Sequence, residues 1–218
     1  MSENKEQQKQ MIIKLPEFGQ HLVFCGTTGS GKSYFAKKLM EKFDRYFIFD
    51  THGTFKINSV SVSSPKNLIQ KLKGFDRIRY TPDFDYRTKD FYNYVIKKLV
   101  IDKAGKKRII YIDEIFHLGF GISFPDWISR GISTARQRQT SFWIASQRPS
   151  NIPMAVLTEA TKIYCFYLSY EEDINKLSLF VRDNKNFKEA MKDLKYDYSF
   201  IEIDRIKGTW VKYPKLES

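Results

Sequence analysis

A three-layer α/β domain with a central, mostly parallel sheet is the fold class this sequence predicts, on three observations. Residues 21–35, HLVFCGTTGSGKSYF, set a short apolar run against a glycine-rich turn and then an amphipathic run. Residues 108–114, RIIYIDE, are four consecutive apolar residues closed by two acids, the pattern of a strand covered on both faces. Around these, strand-like and helix-like stretches alternate without internal repeat, which leads to helices packed on a parallel sheet.

Taken in order, residues 1–11 read as a flexible polar arm, and a single domain spans 12–218, ending in a strand-rich extension. Ile12 to Phe18 is a short edge segment whose pairing Pro16 limits. Leu22 to Cys25 is a buried strand, Gly26 to Gly31 a tight turn, and Lys32 the start of a helix. Tyr34, Phe35, Leu39, Met40 and Phe43 recur at helical spacing and carry that helix to about Lys42. Tyr46 to Phe49 is a compact strand ending at Asp50. Asp50, Thr51 and His52 make a polar strand exit, suited either to a nucleotide or neighbouring subunit or to local turn bonding. Gly53 to Ser64 is polar and poorly periodic, and no element is predicted there.

Pro65 to Leu72 predicts a helix and Asp76 to Tyr80 a strand ended by Pro82. Thr88 or Asp90 caps a helix to about Lys103, with Phe91, Val95 and Leu99 turned inward beside Tyr92 and Ile96, and Gly105 stops it. Lys97, Lys98, Lys103, Lys106, Lys107 and Arg108 make that end basic, which suits a solvated face at the helix C-terminus or direct contact with DNA. Leu118 to Phe124 is an apolar loop, and Pro125 and Asp126 open a helix toward Arg138. Ser141 to Ser146 is a further central strand ending at Gln147. A short helix over Pro153 to Leu157, a strand over Lys162 to Leu168 and helices over Glu171 to Val181, capped near Ser169, and Asn186 to Leu194 follow. Tyr198 to Ile203 and Thr209 to Tyr213 close the chain as a strand pair.

The turn Gly26-Thr27-Thr28-Gly29-Ser30-Gly31-Lys32-Ser33 fits the phosphate-binding pattern G-x-x-x-x-G-K-S, with Tyr34 next on the helix. A polyphosphate sits against backbone N–H groups of such a turn and the open end of the helix, so the loop needs small residues. Lys32 puts a point charge between the outer phosphates, and the Ser33 hydroxyl helps hold Mg2+. In open parallel sheets ligands lie beyond the carboxyl ends of the strands, which brings Asp113 and Glu114 toward the same loop. Asp113 is suited to order Mg2+ through water and Glu114 to polarise an attacking water, a division of labour that favours hydrolysis over phosphate transfer. Gln147 is a candidate sensor of the terminal phosphate, or an amide that ties loops together. His117 reads as a loop histidine, because three scattered histidines and two cysteines make no zinc spacing.

A net charge of +12 points to a polyanionic partner, nucleic acid or a membrane surface, and charge alone does not choose between them. Cys25 and Cys165 fall inside apolar strand patterns and read as buried free thiols suited to a reducing compartment. With no long uncharged apolar run and a polar start, the expectation is a soluble protein kept inside a cell.

GTTGSGKS at 26–33, YIDE at 111–114 and STARQRQTSFWIASQRPSNIP at 133–153 together resemble the FtsK/HerA superfamily of DNA-pumping ATPases, most of all the genome-packaging ATPases of internal-membrane icosahedral viruses of archaeal type. The likeness covers roughly Leu22 to Leu177, and the arginine-rich segment before Gln147, Arg148 and Pro149 is its discriminating part. It implies a RecA-like (ASCE) P-loop NTPase that uses ATP and Mg2+, with Lys32 and Ser33 on the phosphates, Asp113 on the metal, Glu114 on water and Gln147 as sensor. It further implies a homo-oligomeric ring, usually a hexamer, that pumps double-stranded DNA into a preformed capsid. The host cytoplasm or the virion vertex is then its place, and capsid or viral membrane proteins its companions.

In such rings an arginine enters the site from the next subunit, and Arg136, Arg138 and Arg148 are the candidates here. Where relatives carry a further arginine this chain has Lys162, which lacks the planar fork. The DNA-tracking domains of cellular members are expected to be absent. Lys56, Arg87, Lys89, Arg130 and Lys185 to Lys195 are the basic groups suited to backbone phosphates. The alternatives are a nucleotide-gated assembly protein with weak hydrolysis, which binds ATP without DNA-stimulated turnover, and a small-molecule kinase, which acts as a monomer.

Overall fold

A computed structural model describes residues 13–83, 88–102, 107–118 and 126–215. Among the described residues nine strands form one sheet: β1 (Leu22–Cys25), β2 (Tyr46–Asp50), β3 (Val60–Val62), β4 (Arg77–Tyr80), β5 (Arg108–Asp113), β6 (Thr140–Ser146), β7 (Lys162–Cys165), β8 (Phe200–Asp204) and β9 (Thr209–Tyr213). Their order is β3-β4-β2-β5-β6-β1-β7-β8-β9. Pairing is parallel from β3 through β7 and antiparallel only for β7–β8 and β8–β9. The expected three-layer, mostly parallel α/β fold is the one observed, with β5, β6 and β1 at its centre.

Strand alternation sends successive side chains to opposite faces, and this sorts the core in two. One face carries Val23, Cys25, Phe47, Phe49, Ile110, Ile112, Phe142 and Ile144. It is covered by α2 (Pro65–Gly74), α3 (Lys89–Lys97), α4 (Asp126–Ala135), α5 (Met154–Glu159), α6 (Glu171–Ser178) and α7 (Asn184–Lys192). The other face carries Leu22, Phe24, Ile48, Tyr111, Trp143 and Tyr164 and is covered by α1 (Lys32–Met40), with Ile13, Phe18, Phe43, Phe55 and Ile57 filling in from irregular chain. With one described helix on that side, aromatic bulk closes the layer: Phe24 sits among Phe35, Tyr111, Trp143 and Tyr164 at centroid distances of 5.3 to 6.4 Å. The unusual content of 18 Phe and 13 Tyr is thereby put to use.

Several boundaries differ from expectation for local reasons. Ile13 to Phe18 is irregular and packs by Ile13 and Phe18 on the α1 face without joining the sheet. β3 lies in the stretch where no element was expected, because three residues at a sheet edge leave too little alternation to read. The helix from Thr88 loosens at Lys98–Asp102 into a π-helical turn. Residues 126–138 end not in a continuous helix but in a 3-10 turn at Arg136–Arg138. β7 stops at Cys165, earlier than Leu168, and the α6 cap is Tyr170 rather than Ser169, with no side-chain bond. Arg108, expected on a solvated basic face, is buried as the first residue of a central strand. Burial and the nearby Arg45 lower its pKa to about 10. Lys103, Gly105, Lys106 and the loop over 119–125 lie outside the described residues.

Cys25 and Cys165 are neighbours across β1 and β7, both buried and free. Burial pushes both thiols far up, which leaves them as inert packing groups. No described helix is long and apolar enough to cross a membrane.

His21, one residue before β1, ties the lower edge of the core together. Its Nδ1 accepts the Phe142 N–H (2.9 Å) from β6, and its Nε2–H donates to the Ile132 carbonyl (3.0 Å) of α4. Protonation of Nδ1 breaks the first bond, and burial with the nearby Arg136 lowers the pKa from 6.5 to about 4. A lowered folded-state pKa gives stability that is in full force above pH 6.5 and is lost as pH falls toward 4, in all about 3 kcal/mol. His21→Gln keeps an acceptor and a donor without titrating. Urea unfolding from pH 7 to pH 4 is therefore expected to show the native protein losing more stability than the variant; parallel curves would discard the assignment.

Candidate active site

The phosphate loop is clamped from both sides by the strands that flank β1. The Gly26 N–H donates to the Ser146 carbonyl at the end of β6 (3.2 Å), and the Thr27 N–H to the Tyr167 carbonyl just past β7 (2.9 Å). The Thr27 carbonyl accepts the Ser30 N–H (3.2 Å), the Ser30 hydroxyl (2.7 Å) and the Lys32 ammonium (3.1 Å). Lys32 is therefore held against the loop, and burial lowers its pKa while Glu114 and Asp113 oppose the shift. Gly31 begins α1 at φ 110° with no capping side chain, so the first N–H groups of the helix face the loop mouth.

The acids meet this loop from β5, with β6 between them and β1. Ser33 Oγ donates to Asp113 Oδ1 (3.1 Å), and the Tyr111 hydroxyl donates to the same oxygen (2.9 Å). Burial raises the Asp113 pKa, while these two hydrogen bonds hold it down and the like charge of Asp50 adds to the rise. Glu114 adopts φ 65°, a left-handed backbone uncommon for a residue with a side chain. That turn aims its carboxylate across β6, where Oε1 accepts the Ser146 hydroxyl (2.9 Å) and Oε2 the Gln147 N–H (2.8 Å). The site therefore uses the Gln147 backbone, and its amide side chain is exposed.

Ser33 and Asp113 offer a hydroxyl and a carboxylate at hydrogen-bond distance, a hard oxygen pair that fits Mg2+. Among the described residues no group of three or more His, Cys, Asp or Glu is placed to hold a metal ion by itself. Sequence reading missed Tyr111 and Ser146. Tyr111 stands two residues before Asp113 on one strand face, a signal that alternation supplied; nothing local marks Ser146 as the partner of Glu114.

The candidate arginines stand in two places. Arg148 is bound within its own domain: Nε donates to the buried Asp173 (2.6 Å), Nη2 lies 3.4 Å from Glu172, and the guanidinium stacks on Tyr170 at 3.9 Å. Arg136 and Arg138 precede β6, at the edge of the sheet opposite the loop, about 20 Å from Glu114 by the rise of a seven-residue strand. Neither reaches the 26–33 loop of its own chain. Arg136 is exposed with one weak bond, to the Glu159 carbonyl (3.4 Å), and Arg138 is half-buried. Lys162 is tied to Glu202 (2.6 Å). Asp50 bonds the Thr54 and Phe55 N–H groups (3.2 and 2.9 Å) with Arg79 at 3.6 Å, the local turn bonding, while Thr51 Oγ1 reaches the Asp113 carbonyl (3.4 Å). Lys56 and Arg130 are exposed, Lys192 pairs with Glu171 (3.1 Å), and Arg87 and the Lys89 and His117 side chains lie outside the described residues.

A family model described as an AAA domain matches residues 18–148, more than half of the chain and all of the site up to Arg148. The chain belongs to this AAA-domain family. No curated protein matches it. Among solved structures, this AAA domain superposes on the genome packaging NTPase B204 from Sulfolobus turreted icosahedral virus 2 in complex with ATP-gammaS, with TM-score 0.75 and 18% identity over 91% of this chain and 98% of that one. VirB4 of Thermoanaerobacter pseudethanolicus follows at TM-score 0.66 and 11% identity over 91% and 89%. The pCW3 conjugation coupling protein TcpA matches at TM-score 0.53 and 15% identity over 84% and 57%. The resemblance to the FtsK/HerA packaging ATPases read from residues 22–177 thus extends to the fold.

Proposed function

We propose that this chain is a Mg2+-dependent ATPase that works as a ring, most simply a hexamer, and drives double-stranded DNA of a viral genome into a preformed capsid. The observation that carries the reading is the meeting of the 26–33 loop with Asp113 and Glu114 at one sheet edge, bridged by the Ser33–Asp113 bond. B204, described as a genome packaging NTPase and matched over nearly its whole length, supports the choice of cargo.

The residues divide the work by position. The N–H groups of 26–33 cradle the phosphates, and Lys32 exchanges the Thr27 carbonyl for a phosphoryl oxygen. Ser33 and Asp113 would hold Mg2+, which when bound would supply charge neutralisation on the outer phosphates. Glu114, fixed by Ser146 and Gln147, orients water and takes its proton. Gln147, whose N–H is bound to Glu114, ties the end of β6 to the carboxylate that meets the terminal phosphate and so can report its loss. Arg136 or Arg138 of an adjoining subunit stabilises charge on the transferred group, since neither reaches its own site. Basic surface side chains grip backbone phosphates, so affinity falls with salt and carries little base specificity. Cytoplasm and virion vertex are the places where such a motor meets capsid and membrane proteins.

Steady-state ATP turnover with and without duplex DNA, measured alongside oligomer mass, tests this. Turnover raised severalfold by duplex, in a ring-sized assembly, is the expected result. ATP binding without DNA-stimulated turnover would replace the motor with a nucleotide-gated assembly protein, and turnover by a monomer that depends on an acceptor would replace it with a kinase.

A further inference from the structure

Two tyrosines that no catalytic step uses are built into the phosphate loop from the segment that leads into β8. The Tyr196 hydroxyl donates to the Thr28 carbonyl (2.5 Å) and occupies the space that a Cβ on Gly29 would need. A Cβ on Gly31 would come within 3.0 Å of the Tyr198 ring. Gly29 and Gly31, at φ 76° and 110°, thus serve the tyrosines as well as the turn. Yet both rings remain open to solvent, Tyr196 at 57% and Tyr198 at 47%. The segment that presents them is shaped by its own bonds: Tyr198 adopts φ 68°, the Ser199 N–H donates to Asp197 (3.0 Å), and Tyr196 meets Tyr167 edge-on at 5.7 Å. A backbone held in a left-handed conformation to keep aromatic rings exposed beside a ligand loop is a sign of function rather than packing.

Sheet order says which part of a ligand reaches them. Asp113 ends β5 and Glu114 follows it, two strands to one side of β1, whereas Tyr196 and Tyr198 precede β8, two strands to the other. A nucleotide whose terminal phosphoryl group faces the acids runs its phosphates along 26–33 and leaves its nucleoside on the β7–β8 side. We propose that Tyr196 and Tyr198 form the nucleobase platform of this site, which takes a purine by stacking. The proposal rests on the loop being the triphosphate cradle. Every base has a π-face, and a larger ring stacks on more of it. With the Tyr196 hydroxyl committed to Thr28, the platform selects by ring area: ATP and GTP bind alike, and CTP and UTP less tightly.

The test is equilibrium binding of ATP, GTP, CTP and inorganic tripolyphosphate to the full chain, with Lys32→Ala, Tyr196→Ala, Tyr198→Ala and Tyr196→Phe as variants. Removing either ring is expected to weaken ATP about tenfold and to leave tripolyphosphate binding unchanged, because the lost contact belongs to the base alone. Tyr196→Phe, which keeps the ring, retains most of the affinity. Etheno-ATP, whose fluorescent base is quenched by stacking, should lose quenching in the Tyr→Ala variants. Equal weakening of ATP and tripolyphosphate would make the tyrosines supports of the loop, and unchanged ATP binding would remove them; either overturns the proposal. On the unaltered protein, equal affinity for ATP, CTP and tripolyphosphate does so without any variant. Failure of the cradle itself reads differently: tripolyphosphate binding is then absent, or insensitive to Lys32→Ala.

Discussion

Glu114→Gln is expected to lower steady-state ATP hydrolysis by about two to four orders of magnitude, the usual contribution of a positioned general base. Nucleotide binding and thermal stability should stay close to those of the native protein. The reason lies in the two bonds that hold the carboxylate. The Gln oxygen still accepts the Gln147 N–H, and its amide donates to Ser146 Oγ, which can turn its hydroxyl hydrogen to the Arg148 carbonyl, 3.1 Å away. The side chain keeps its place and loses only its basicity. Single-turnover phosphate release with labelled ATP, alongside binding and a melting curve, checks this. Hydrolysis at the native rate would take the water-orienting role from Glu114.

The arginines should separate into one that holds the fold and a pair, Arg136 and Arg138, that supplies the residue acting on a neighbour. Arg148→Ala strands Asp173, which is fully buried, and breaking such a pair from one side costs about 3 kcal/mol, or roughly 10 °C in melting temperature for a domain of this size. The Ser150 N–H (2.8 Å) remains to Asp173 but does not neutralise it. Arg136→Ala removes a surface side chain with one long bond, so stability should change by no more than about 0.5 kcal/mol while turnover collapses. Mixing Arg136→Ala with Lys32→Ala subunits then restores sites that pair a sound loop with a sound arginine. Confirmed mixed rings without recovery would exclude Arg136, and the same experiment made with Arg138→Ala examines Arg138. An Arg148→Ala protein as stable as the native one would free Arg148 to be the trans residue.

What could be read in the chain and what could not divide along the range of the interactions. The 26–33 loop is legible because its residues are contiguous and the turn they make is local. The strand over 108–113 is legible because continuous apolarity followed by acids needs no partner to be recognised. β3 was missed because an edge strand of three residues scarcely alternates, and the 3-10 turn at Arg136–Arg138 because charged residues fit a helix end equally well. Asp50 had two readings open; local bonding to Thr54 and Phe55 was decided by the chain turning back at once.

The sequence by itself determined the layers, the phosphate loop and the acid pair, since apolar periodicity and short motifs act within a few residues. Only the tertiary structure decided that Ser146 clasps Glu114 across 32 residues, that Asp173 engages Arg148, and that Tyr196 reaches Thr28 across 168. The physical reason is that a period of two or 3.6 says which face of an element is apolar, but not which element lies beside it. Strand order supplies that neighbour, and every long-range hydrogen bond of this site follows from it.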